Sequence, residues 1–150
     1  MAAGTLAQEP ATLGDAIASE PMWLLTWIAV LVGTHFLALA FVAHRDQDQW
    51  RLRWEPMAIV VSFMIAGTVM EMLYARFGYV RLLGLAHLIG WLPIYSWLLY
   101  RRRTIGLSSL WGRYVHLYLA VAGLSLIVDA ADVVRFLVGD SASLHLRWGT

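Results

Sequence analysis

The chain has 150 residues, of which 60% are hydrophobic and only 14% charged, whereas a soluble domain is nearer ~25% charged. Its 11 basic residues, all arginine, are scattered and the formal net charge is +1, so there is no basic face for nucleic acid and no lysine for a Schiff base. Cysteine is absent, which excludes disulfides, thiolate metal ligands and cysteine nucleophiles.

This is the composition of an integral membrane protein. A helix crossing a hydrocarbon core of ~30 Å needs ~20 apolar residues, so the length suits four crossings with short connections and no separate soluble domain. Residues 1–21 carry Glu9, Asp15 and Glu20 but no basic residue, unlike the start of a signal peptide, and read as a flexible, retained tail. The first apolar run covers about 22–44 and opens with Trp23 and Trp27, as an interfacial aromatic belt would.

A polar connection over 45–55 leads to Pro56, which suits the first turn of a second span over about 56–74. Arg76, Phe77, Gly78 and Tyr79 form a tight turn into a third span over about 80–100, where Pro93 is expected to kink the helix. Arg101, Arg102 and Arg103 end it. The fourth span runs over about 110–138 until Gly139 and Asp140, leaving a polar tail over 141–150. The predicted fold is all-α, a four-transmembrane-helix bundle over 22–140.

Orientation follows from arginines near the span ends, which stay on the cytoplasmic side. The connections after spans one and three hold Arg45, Arg51, Arg53, Arg101, Arg102, Arg103 and Arg113, against Arg76, Arg81, Arg135 and Arg147 on the other side. Both termini are therefore expected on the non-cytoplasmic side. The lysine-free, Ala-, Gly-, Leu- and Arg-rich composition points to a bacterial cytoplasmic membrane. Trp50, Trp54, Trp97, Tyr100 and Trp111 read as one aromatic belt, and Trp23, Trp27 and Tyr79 as the other.

Ionisable residues inside spans are costly and usually face a bundle interior or a cavity. Glu71, His87, Asp129, Asp132 and His35 are the candidates. At ~1.5 Å rise per residue, Glu71, His87, Asp132 and Asp129 lie about 9, 10, 9 and 14 Å below the outer end, and His35 about 20 Å below it. Ser125, Asp129, Asp132 and Arg135 share one face of span four. Gly67, Thr68 and Glu71, and Gly84, His87 and Trp91, make matching stripes whose small residues suggest close helix approach.

A pocket opening outward and lined by Glu71, His87, Asp129 and Asp132, with His35 beneath, unites these stripes. The first functional reading is a proton or cation site of a channel or transporter. The second is a metal site on His87, Glu71, Asp129 and Asp132, or a haem held by histidines of different spans. The third is acid–base chemistry on a lipid-soluble substrate. A purely structural accessory subunit is the fourth, with Asp132 neutralised by Arg135, Glu71 by Arg76 or Arg81, and His87 by either carboxylate. Asp129 and Asp132, one turn apart, would repel if both were charged, so one is expected to hold a proton or share a cation. The expected partners are the lipid bilayer and either further copies of the chain or a larger membrane complex.

Overall fold

The computed structural model describes residues 12–46 and 49–139. The remainder of the expected tails, 1–11 and 140–150, lies outside the described residues. Four helices are long and apolar enough to cross a membrane: Met22–Phe41, Trp54–Phe77, Arg81–Ile105 and Leu110–Leu137. These match the four predicted spans and are compatible with a multi-pass membrane protein.

A short helix, α1 (Leu13–Ala18), comes first; it is capped by the Thr12 side chain, which accepts from the Asp15 amide. Within the stretch expected to be a flexible tail, Leu13 and Ala16 are buried. Next, α2 (Met22–Leu37) continues as a 3-10 turn to Phe41. The expected loop after it is instead partly a hairpin, β1 (Ala43–Asp46) with β2 (Gln49–Leu52), in antiparallel register with His44 opposite Arg51 and Arg45 opposite Trp50. The fold is thus mostly helical with one small two-stranded sheet.

Helix α3 (Trp54–Phe77) takes Pro56 in its first turn, where the missing N–H costs nothing. It stops at Gly78, whose φ of 72° lies in the left-handed region that glycine adopts without strain. A 3-10 turn (Arg81–Leu83) then feeds α4 (Gly84–Ile105), which runs through Pro93 as a single helix and stops at Gly106 with φ 64°. Finally, α5 (Leu110–Leu137) begins at Ser109, whose hydroxyl accepts from the Gly112 amide at 3.0 Å.

Helix α4 packs most extensively, against both α3 and α5, while α2 touches α3 and α5 more sparingly. For helices in a membrane, packing and hydrogen bonds replace the hydrophobic effect as the force of association, which gives close approach its weight. It occurs at Gly90, where an added Cβ would come within 2.7 Å of Ala66 Cβ and 2.8 Å of the Ser62 carbonyl oxygen. The predicted contact residue Gly67 has open space instead.

The half of the bundle nearest the hairpin is filled by Ala38, Ile59, Leu98, Trp111, Val115 and Tyr118. Trp111 is therefore a core residue stacked on Tyr114, with ring centroids 5.6 Å apart, and not part of a belt. The Tyr114 hydroxyl donates to the Thr34 carbonyl at 2.9 Å and ties α2 to α5 in this half. Toward the other end the packing opens into a cavity.

Candidate functional site

The cavity has a volume of about 360 Å³, near the lower end of the ~300–1,000 Å³ typical of small-molecule sites. Its two sides differ. One is apolar: Leu13 and Ile17 of α1, Leu24, Trp27 and Leu31 among others on α2, and Phe63, Ala66 and Met70 on α3. The other carries every charged residue of the lining, namely Arg81, His87, Asp129 and Asp132, together with Tyr79 and Ser125.

Two pairs build the polar side. Nη1 of Arg81 donates to Oδ1 of Asp132 at 2.9 Å, with the arginine 6% exposed. Nδ1 of His87 lies 2.9 Å from Oδ2 of Asp129, both side chains largely buried. A carboxylate only accepts, so the imidazole proton sits on Nδ1. The Ser125 hydroxyl donates to the same Oδ2 at 3.2 Å. Asp129 and Asp132 each have their own partner, His87 on α4 and Arg81 in the turn before it.

Gly84 makes this pairing reachable. A Cβ there would come within 3.1 Å of Asp129 Cα, Cβ and O, so the absence of a side chain lets α5 lie against the first turn of α4. One turn further, the His87 ring stacks on Trp91 with centroids 4.0 Å apart and planes 21° from parallel. Asp129 and Trp91 together fix the imidazole, and Nε2 is its one ring nitrogen outside the Asp129 bond.

His35 lies behind Trp91, fully buried, with ring centroids 4.4 Å apart. Phe63 and Tyr118 also pack on it, at 5.0 and 5.3 Å. Its Nδ1 donates to the Leu31 carbonyl at 2.7 Å, while Nε2 is buried with no hydrogen-bond partner among the described residues. It does not line the cavity.

Glu71 stands apart. It is exposed on α3 and is not among the cavity-lining residues. The structure thus brings together His87, Asp129 and Asp132, places His35 beyond the indole, and leaves Glu71 elsewhere. Arg81, expected as a partner of Glu71 or as an interfacial charge, pairs with Asp132, the carboxylate assigned from sequence to Arg135.

The expected metal set does not converge, because among the described residues no group of three His, Asp or Glu side chains is placed to hold an ion. His35 and His87, histidines of different spans, pack on the same indole, that of Trp91. Donor geometry supports neither cofactor.

Sequence reasoning missed two further features of the site. Helix α1 contributes Leu13 and Ile17 to the cavity, and Glu20 just after it is buried and hydrogen-bonded to Tyr79. Burial, then that hydrogen bond, push the Tyr79 phenol above its ordinary range, so it remains a hydrogen-bond donor. A signal existed in the Leu13, Ala16, Ile17 spacing, which gives a short helix one apolar face.

Comparison with protein-family models, with curated proteins and with solved structures found no match to this chain.

Proposed function

We propose that this is a multi-pass membrane protein that takes a small lipid-soluble molecule into the cavity between α2 and the other long helices, where the His87–Asp129 pair acts on its polar group by acid–base chemistry. The observation that carries this reading is the division of the cavity into an apolar side from α1, α2 and α3 and a polar side holding His87 and Asp129. An apolar pocket with a few convergent polar groups is the form that ligand sites take. A histidine whose Nδ1–H is held by a carboxylate keeps Nε2 oriented for proton exchange.

A cation site is less well supported. One oxygen of each carboxylate is already engaged, Asp132 by Arg81 and Asp129 by His87 and Ser125, and Glu71, the third carboxylate expected in the cluster, lies outside the cavity. We place the cavity at the non-cytoplasmic end, following the arginine distribution, in a bacterial cytoplasmic membrane.

The test is to incubate purified protein in nanodiscs with a bacterial total lipid extract and to compare the lipid profile by mass spectrometry with that of His87→Gln and Asp129→Asn. A species converted or retained by the wild type and lost in both variants is the expected result. Profiles identical across all three proteins would refute the proposal.

A further inference from the structure

The polar side of the cavity also restricts what kind of head group it accepts. Two carboxylates, Asp129 and Asp132, line it against one guanidinium, Arg81, which is already bonded to Asp132 at 2.9 Å. A third negative charge brought beside them would meet like charges at close range. A fatty acid or phosphate ester is therefore rejected.

A cationic head fares no better. Leaving water costs several kcal/mol per ion in an apolar site, and the single carboxylate charge in excess of Arg81 must repay it through Asp129, whose Oδ2 is already held by His87 and Ser125. An uncharged head avoids both costs.

A further polar feature of the cavity is directional. With Nδ1–H donating to Asp129, a neutral imidazole presents Nε2 as an acceptor. Such an acceptor distinguishes a hydroxyl from an ether or a hydrocarbon of the same shape, since only the hydroxyl donates. Trp27, Leu31, Phe63 and Ala66 offer the rest of such a molecule an apolar, partly aromatic wall.

Building on the reading of the cavity as a ligand site, we infer that its ligand class is an uncharged lipid-soluble alcohol or phenol whose hydroxyl donates to Nε2 of His87. Trp91 is the positioning residue: its stacking on His87 at 4.0 Å holds the ring plane that aims Nε2.

The test uses the full chain in nanodiscs with ¹⁵N-labelled histidine and tryptophan, His87 being assigned from the His87→Gln variant and Trp91 from Trp91→Phe. It is titrated with 1-dodecanol, dodecyl methyl ether, dodecanoate and dodecyltrimethylammonium. The Trp91 indole resonance reports whether a chain occupies the cavity, and the His87 Nε2 resonance reports whether it accepts a hydrogen bond. Dodecanol is expected to move both, with the ether about 5- to 10-fold weaker, as for a hydrogen bond worth ~1–1.5 kcal/mol, and with both charged amphiphiles weaker than the alcohol. Equal binding of the ether or of either charged amphiphile overturns the hydroxyl assignment while leaving the cavity as a ligand site. Nε2 found protonated in the free protein also overturns it. If no amphiphile moves Trp91, the ligand-site reading fails with it.

Discussion

Gly84→Ala perturbs the site without removing any of its polar atoms. The new Cβ would lie 3.1 Å from three atoms of Asp129, whereas carbon atoms in ordinary contact sit ~3.5–4.0 Å apart. Helix α5 must then retreat by about half an ångström. Added to the 2.9 Å between His87 Nδ1 and Asp129 Oδ2, that exceeds the ~2.7–3.2 Å range of an N–H···O bond. Overpacking costs ~1–3 kcal/mol, offset by up to ~1 kcal/mol from replacing a helical glycine, so net destabilisation is about 0–3 kcal/mol. Unfolding in mild detergent measures the stability, and the ¹⁵N shift of His87 Nδ1 reads the bond. The contrasting variant is Gly90→Ala on the same helix, whose Cβ would meet α3 at 2.7–2.8 Å. With the same offset for a helical glycine but a closer contact, it should destabilise by about 1–3 kcal/mol net, at least as much as Gly84→Ala, yet leave the His87 signal in place. An unchanged Nδ1 shift in both Gly84→Ala and the bulkier Gly84→Val would refute the reasoning that this glycine sets the pair.

Three other outcomes follow from the packing. Tyr114→Phe removes the bond to the Thr34 carbonyl and should cost about 1 kcal/mol, with faster amide exchange in α2 measured by hydrogen–deuterium mass spectrometry. His35→Leu should change stability by less than about 1.5 kcal/mol, since it fills a similar volume and removes a buried unpartnered nitrogen; His35→Ala, which opens a hole beside Phe63, Trp91 and Tyr118, should cost about 2–4 kcal/mol in the same unfolding assay. Because the Tyr79 phenol is raised above its ordinary value of 10.0, its contribution to the folded state is fully present below pH 10.0 and is lost as pH rises beyond it. Proteolysis of the α1 segment should therefore accelerate only in strong alkali, and Tyr79→Phe should bring the acceleration to neutral pH.

The four long helices were legible because runs of about 20 apolar residues leave few alternatives. Where each ionisable group sits along its own helix was legible too, since rise per residue fixes it. Azimuth was not. On α3 the buried residues Ile59, Ser62 and Ala66 follow the helical repeat, and Glu71, five residues beyond Ala66, lies about 140° around the helix from that face. Gly67 and Thr68 beside it made a polar stripe, but one helix alone does not say which stripe meets a neighbour. Arg81 was not legible as a partner of Asp132 for the same reason: Arg135 is its neighbour along one helix, whereas Arg81 is 51 residues away in sequence and reaches it at 2.9 Å through the turn before α4. Trp91 was left between core and pocket wall, and it is both, being buried and lining the cavity. The hairpin after α2 escaped notice because its polar sequence lacks the strict alternation that marks a strand.

The most direct measurement is site-resolved photolabelling of the protein in nanodiscs by a diazirine-bearing fatty alcohol, with and without excess unlabelled dodecanol. Saturable labels on Leu31, Phe63, Ala66 or Trp91, lost in His87→Gln, are the expected result. Labels confined to exposed positions on the long helices, such as Met64 and Ile127, and undiminished by competitor would contradict a cavity that takes its ligand from the bilayer.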